Sequence, residues 1–429
     1  MRTAGIVAAG TSPPPTEPIT EAERIELLDV VRGFALYGVL LANLVWVSQE
    51  AAVTEAQVAA LPTAPIDRVV RYAIQFFVDG KFYTLFAFLF GLGFAVQLMR
   101  GEARGAAIVP VYLRRLGVLL LIGLAHAYFL WYGDILHHYA LFGFLLLVFR
   151  RCSNRTLMVL GFSLGVALAA TMAGAKLLWT AAPIGAIALD PPERQVIDAR
   201  FRAFMGSSYV AAWQENAKFA ASYWTAGLVL PALPAIAGRF LLGYYSGRRR
   251  LLHEPEAHLQ LFRRLLGWGL ALGLVGNAIW VMTTVLTRAG TLAPASPWVI
   301  AAQFPIHVGY VAMAGCYLAA IVLLSQRPAW RRRLAHLAPV GRTALTNYLA
   351  QSLVYVFVFY GLGAGLGLLG RLGTTFCLGL SVVVFAAQIV LSGWWLQRFR
   401  FGPAEWAWRA LTYGVLPPMR RATTTPGGA

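Results

Sequence analysis

The sequence is short of charge, of acidic residues and of cysteine, and each shortage excludes a class of protein. Charged residues fill 13% of the 429 positions, about half the share found in soluble domains, so the chain lacks the polar surface of an ordinary soluble enzyme. Eighteen Asp and Glu stand against thirty-six Lys and Arg, for a formal charge of +18. That excess would suit a nucleic-acid surface, but no nucleic-acid-binding module is recognisable and most basic residues lie in short loops between apolar runs. No nucleic-acid partner is expected. Cys152, Cys316 and Cys377 offer neither a paired framework nor metal-ligand spacing, so neither a disulfide nor a metal site is expected. A soluble domain and a fixed-period repeat are also missing.

What the chain has in their place is apolar length, with 59% hydrophobic residues and a mean hydropathy of +0.64. A helix crosses about 30 Å of hydrocarbon with roughly 20 apolar residues. On that criterion spans fall near 27–47, 82–99, 113–131, 137–149, 156–181, 222–246, 266–287, 297–324, 343–362 and 373–396. The fold class expected is all-α, a polytopic membrane helix bundle of about ten transmembrane helices.

Basic residues collect in alternate loops, among them Arg100, Arg104, Arg114 and Arg115, then Arg150, Arg151 and Arg155, then Arg248, Arg249 and Arg250. The intervening loops (48–68, 132–136, 182–221, 288–296, 363–372) hold far fewer for their length. Both termini are therefore expected in the cytoplasm, in a plasma membrane of bacterial type with its lipids as neighbours. The chain divides into a flexible cytoplasmic tail (1–23), an N-terminal transmembrane bundle (24–246), a basic cytoplasmic linker (247–265), a C-terminal transmembrane bundle (266–415) and a second flexible tail (416–429). Residues 66–79 alternate apolar and charged positions at helical spacing, which suits a helix at the outer interface or a simple loop helix. Segment 182–221 is expected as amphipathic structure over the outer face.

Ionisable groups inside a span are costly and mark functional sites by default. In LLDVVRGFALYGVLLANL, Asp29, Arg32 and Asn43 fall on one stripe of a helix at 100° per residue. Asp29 and Arg32, at i and i+3, can form an ion pair near the cytoplasmic end, or anchor the helix at the interface. Gly33 and Gly38 permit close helix approach. A second cluster, HAYFLWYGDILHHYALFG, brings His126, Asp134, His137 and His138 to the outer end of the third span. A carboxylate beside an imidazole fixes its tautomer and raises its basicity, as general acid/base chemistry requires; taken singly, each histidine suits an interfacial or hydrogen-bonding role. Thr343, Asn347, Gln351 and Tyr355 recur every fourth residue in the ninth span, facing either a polar path or a neighbouring helix. Arg239 sits within the sixth span, where it either snorkels or binds phosphate.

The segments LDVVRGFALYGVLLANL, GKFYTLFAFLFGLG, YLRRLGVLLLIGLAHAYFLWYGDILHHYALFG, GRTALTNYLAQSL and FRFGPAEWAWRALTYG resemble, in order and spacing, the YeiB family, whose C-terminal half is the domain of unknown function 418. The resemblance runs from about residue 24 to 415. That family is similar to heparan-α-glucosaminide N-acetyltransferase and other transmembrane acyltransferases, chiefly through Asp29, Arg32, Gly33 and Asn43 of the first span. The resemblance implies transfer of an acyl group, acetyl above all, from cytoplasmic acyl-CoA (acetyl-CoA) as co-substrate to a sugar, lipid or metabolite at the outer face. It implies that Arg32, with Arg239 and Arg342, binds CoA from the cytoplasm, and that Asn43 holds the acyl carbonyl or the acceptor. Asn347 and Gln351 join the expected substrate-binding set. The heparan enzyme uses a histidine in the loop after the first span, and residues 48–81 contain none. The base is therefore assigned to His126, supported by Asp134, on chemical grounds.

Three other readings compete. A transporter or channel for a small polar or amphipathic solute would show broken midplane helices and paired halves, and the Gly-rich stretch 361–370 is compatible with one. A haem protein would pair His126 with His307, and a purely structural or sensory bundle would need no site. A homodimer stays open. The aromatics of KFYTLFAFLFGLGF are expected to pack around small residues. Trp406, Trp408 and Arg409 are expected to anchor the C-terminus at the interface in preference to forming a lid, with Glu405 and Arg409 paired at i, i+4.

Overall fold

The structure, a computed structural model, describes residues 24–50, 53–105, 108–181, 193–225 and 232–421. The tail 1–23, residues 182–192 of the outer segment and the end of the second tail, 422–429, lie outside the described residues. The described chain is all-helical, and its sole β feature is an isolated bridge between Phe399 and Arg420.

The helices that position the site are α1 (Glu26–Val45), α2 (Ala64–Phe77), α3 (Lys81–Ala103), α4 (Ile108–Ala125), α5 (Leu136–Leu146), α6 (Asn154–Phe162), α7 (Ala169–Ala181), α8 (Glu193–Met205), α9 (Tyr209–Thr225), α10 (Ala232–Arg248), α11 (Leu259–Arg288), α12 (Pro297–Ser325), α13 (Ala338–Arg342), α14 (Ala344–Phe359), α15 (Thr374–Arg398) and α16 (Pro403–Tyr413). Every apolar segment of the sequence carries a helix. Seven helices among the described residues are long and apolar enough to cross a membrane. Of the other three apolar segments, two give shorter helices, α5 and α14, with 11 and 16 residues, or about 16 to 24 Å at 1.5 Å per residue; the described part of the third ends in α10, and residues 226–231 before it lie outside the described residues. Hydropathy is summed over residues, whereas a span also needs unbroken helix, and α5 and α14 end at turns.

α1 runs through the centre, with Val31, Ala35, Leu36, Leu40 and Leu44 fully buried. Its neighbour α13 approaches so closely that a Cβ on Gly341 would lie 1.9 Å from the Asp29 carbonyl oxygen, and one on Gly33 would lie 2.2 Å from that of Leu337. Only glycine fits such a crossing, where backbone meets backbone in place of side chains. Residues 64–77 do form a helix, and it does more than rest at an interface. Its Asp67 accepts hydrogen bonds from the Thr375 amide (2.8 Å) and the Thr63 hydroxyl (2.6 Å), satisfying one of the orphan donors at the start of α15.

Residues 193–225 carry α8 and α9, and these close over the end of the third span. The Phe129 and Trp213 rings stack at 6.0 Å, the Tyr209 hydroxyl donates to the Phe129 carbonyl (2.5 Å), and the Asn216 amide donates to that of Leu130 (3.3 Å). Both carbonyls belong to a helix terminus, where four acceptors lack intrahelical partners. The Gly-rich stretch is a turn, with Gly363, Gly367 and Gly370 at positive φ and the Gly361 amide donating to the Phe204 carbonyl.

Candidate functional site

α4 ends in a π-helical turn, His126–Leu130, followed by extended Trp131 and a turn that carries Asp134 back toward the helix. π-turns widen a helix locally and recur at functional sites. Here the turn lets residues eight apart meet: His126 Nδ1 lies 2.8 Å from Asp134 Oδ2. The Asp134 side chain is completely buried and that of His126 is 2% exposed. The other carboxylate oxygen accepts from His137 twice, from Nδ1 (2.7 Å) and from the backbone amide (2.9 Å). An ionised carboxylate can only accept, so His126 carries its proton on Nδ1 and leaves Nε2 basic. Nε2 lies 2.8 Å from the hydroxyl of Ser352 on α14, which can therefore donate to it. Both ring nitrogens of His126 are committed in this way, so the donor set for a haem with His307 is not assembled; the His307 ring nitrogen instead meets the Gln303 carbonyl at 2.8 Å.

A cavity of about 240 Å³ lies between α1, α3, α4, α14 and α16. Along α3 its lining runs Tyr83, Phe86, Phe90, Gly93, Gln97 and Arg100, one helical face about 25 Å long. The aromatics of this segment thus line a cavity as well as packing among themselves, and their i, i+3/i+4 recurrence was the signal in the sequence. Six arginines, Arg24, Arg32, Arg100, Arg115, Arg342 and Arg409, gather at one end. They share that end because α1, α4 and α14 begin where α3 finishes. Phe86, Leu89, Phe94, Leu116 and Leu119 form apolar walls, and Tyr83, Tyr139 and Tyr348 line the far end.

The expected Asp29–Arg32 pair forms at 3.0 Å, and Arg24 adds a second contact to Asp29 at 2.9 Å. Asp29 is buried, so its charge is neutralised while both guanidinium groups keep partial exposure toward the arginine-lined end. Asn43 is buried and does not itself line the cavity; its carbonyl accepts from the hydroxyl of Tyr83, which does. His126 does not itself line the cavity; its ring lies 5.4 Å from that of Tyr348, which does.

Three expected residues lie elsewhere. Arg239 is not with Arg32 but lines a second, apolar cavity of about 230 Å³ between α3, α6, α10, α11 and α12, because its position on α10 faces away from the first. Asn347 and Gln351 do not line the first cavity either. Asn347 donates to Thr343 (2.8 Å) and Ser392 (2.9 Å), and Gln351 donates to Gln388 (3.0 Å), so Thr343, Asn347 and Gln351 of the every-fourth-residue stripe form a polar ladder to α15, the interhelical alternative open in the sequence.

The C-terminal helix departs from expectation. Glu405 does not pair with Arg409 but caps α14, accepting from the Leu345 amide (2.6 Å), the Thr346 amide (3.2 Å) and the Thr346 hydroxyl (2.5 Å). Burial pushes the Glu405 carboxyl above its ordinary range, against the lowering effect of those hydrogen bonds, and burial depresses the Arg409 guanidinium. The Trp408 indole donates to the Arg115 carbonyl (2.9 Å) beneath the Arg115 guanidinium, 4.0 Å from its ring. Glu405, Trp408 and Arg409 all line the cavity, so α16 forms part of its wall. Sequence reading missed Ser352, Tyr83, Tyr348 and Arg115 because none carries a local pattern that separates it from ordinary span or loop residues.

Residues 246–415 match the family model described as protein of unknown function (DUF418). The chain is 32% identical to the uncharacterized protein YxaH of Bacillus subtilis (strain 168), over 95% of this chain and 98% of that one. It is 30% identical to the uncharacterized protein YeiB of Escherichia coli (strain K12), over 92% and 98%, and 27% identical to an uncharacterized 39.9 kDa protein in the amylase 3′ region of Bacillus acidopullulyticus, over 92% and 96%. No solved structure matches. Matches this long, together with the DUF418 region, establish that the chain belongs to the YeiB family.

Proposed function

We propose that the chain is a membrane acyltransferase that takes an acyl group, acetyl above all, from cytoplasmic acyl-CoA and delivers it to an acceptor at the outer face. The observation that carries this reading is the cavity, with six arginines at one end and, among its lining, Tyr348, whose ring lies 5.4 Å from that of His126, the partner of Asp134. Arginine forks suit phosphate oxygens, apolar walls suit a pantetheine arm and acyl chain, and a basic imidazole oriented by a carboxylate suits proton removal from an attacking hydroxyl or amine. Arg32 and Arg342 hold CoA in this reading, joined by Arg115 and Arg409, and Asn43 with Tyr83 receives the acyl carbonyl. Arg239 takes no part in CoA binding.

In the same reading the bundle has ten spans, α5, α10 and α14 supplying three of them, with both termini in the cytoplasm of a cell bounded by a bacterial-type plasma membrane. The basic loops support that orientation, since the arginine-lined end of the cavity lies on their side. Purified protein given radiolabelled acetyl-CoA is expected to bind it and to release or transfer the acetyl group. Arg32→Ala should weaken acetyl-CoA binding about 10- to 100-fold, the cost of a charged hydrogen bond, and His126→Ala should leave binding intact while abolishing transfer. Folded wild-type protein that neither binds nor consumes acetyl-CoA would overturn the reading in favour of solute transport.

A further inference from the structure

The hydroxyl of Ser352 completes a chain of hydrogen bonds with a fixed direction. Its O–H faces His126 Nε2 at 2.8 Å, and His126 Nδ1–H faces Asp134 Oδ2 at 2.8 Å. The three side chains come from α14, the π-turn after α4 and the turn before α5, and the hydroxyl is 226 residues from the imidazole in sequence. This is the arrangement that activates a serine: base within hydrogen-bond reach of the nucleophile, and carboxylate holding the base in its working tautomer. Ser352 is fully buried, so bulk water does not compete with the hydroxyl for the imidazole.

A second observation points to a bound carbonyl. Trp131 is fully buried and its indole N–H has no hydrogen-bond partner. Its ring lies 6.3 Å from that of His126 and 5.0 Å from that of Tyr355, three residues beyond Ser352. A buried donor without an acceptor is costly, and a carbonyl oxygen admitted to this aromatic pocket beside His126 would offer it one. Tyr348, one helical turn before Ser352, lines the cavity, and its hydroxyl accepts one neutral hydrogen bond from the Ile135 amide at 3.2 Å.

We propose that Ser352 is the covalent acyl carrier, so that transfer proceeds in two steps through an ester on its hydroxyl; this rests on the acyltransfer reading above. In the first step Ser352 Oγ attacks the thioester carbonyl as its proton passes to His126 Nε2. The C–S bond breaks, and the departing CoA thiolate takes the proton from His126. In the second step an acceptor hydroxyl or amine gives its proton to His126 and attacks the ester carbonyl. The Ser352 oxygen leaves and recovers the proton, with no net change in protonation and no redox partner.

The test uses full-length protein in nanodiscs with two probes. Radiolabelled acetyl-CoA, followed by rapid denaturation and peptide mapping, should place a hydroxylamine-sensitive label on Ser352. Ser352→Ala should lose the label and transfer, Ser352→Cys should carry it as a thioester, and His126→Ala should slow labelling by at least about 100-fold. A small fluorophosphonate, which needs no acyl-CoA, should modify Ser352 in wild type and not in His126→Ala. If wild type consumes acetyl-CoA and folded Ser352→Ala does so equally well, the serine is only a clamp between α14 and the π-turn, and the inference fails while the acyltransfer reading stands. If acetyl-CoA is untouched but the fluorophosphonate labels Ser352, the nucleophile stands and acyl-CoA is the wrong donor. Folded wild type in which neither probe labels Ser352 overturns the inference.

Discussion

Replacing Asp134 with Asn probes the centre of the site with almost no change of shape. Asp134 accepts from His126 Nδ1 on one oxygen and from His137 on the other, at 2.7 to 2.9 Å. An amide offers one acceptor and one donor, so one of the two faces must turn a donor toward a donor. The amide is expected to keep its oxygen toward His137, where two N–H groups converge, and to turn its NH2 toward His126. The imidazole can then accept at Nδ1 only by moving its proton to Nε2, and Nε2–H facing the Ser352 hydroxyl is no longer a base. Loss of one charged hydrogen bond costs about 1.5–3 kcal/mol, offset in stability by removal of a buried charge, so the thermal midpoint should shift little. The rate should fall far more. In serine hydrolases the same substitution lowers turnover about 10⁴-fold, or about 5 kcal/mol of barrier. The assay is acetyl transfer from radiolabelled acetyl-CoA, with binding measured in parallel. Binding should be unchanged, because the arginines stand at the opposite end of the cavity. A folded Asp134→Asn protein within about tenfold of the wild-type rate would refute the tautomer mechanism.

Two further outcomes test the scaffold. Gly341→Ala places a Cβ 1.9 Å from the Asp29 carbonyl oxygen; overpacking of this kind costs about 1–3 kcal/mol, so the melting temperature should fall and acetyl-CoA affinity with it, since Asp29 holds Arg32. An unchanged melt would mean that α1 and α13 part without cost. The Glu405 carboxyl has a raised pKa in the folded chain because of burial, so the folded state holds that proton more tightly than the unfolded state. Its stabilising contribution is therefore fully present below the ordinary Glu range and declines as pH rises through the raised value. Melting temperature should fall over that interval in wild type and respond less in Glu405→Gln, and identical pH profiles for the two would refute the assignment.

Charge neutralisation is a theme that the local sequence shows only in part. Asp29 and Arg32 are close in sequence and on one helix face, so their pairing could be read directly, and so could the contact between His126 and Asp134 across a Gly-containing turn. Glu405 and Arg409 satisfied the same i, i+4 rule, yet Glu405 serves the amides of Leu345 and Thr346. The rule states which side chains can meet along one helix. It cannot weigh that contact against an uncapped helix end delivered by another part of the chain.

The sequence by itself determined that the chain is helical and membrane-embedded, where its apolar segments lie, and which charges would need partners there, because hydropathy and helical periodicity depend on neighbours within a few residues. Only the tertiary structure decided that Asn347 and Gln351 face α15, that Arg239 belongs to a separate cavity, and that Ser352 meets His126. Each depends on the rotation and depth of one helix against another. Those are set by glycine crossings, capped termini and hydrogen bonds between residues hundreds of positions apart, and no local pattern carries that information.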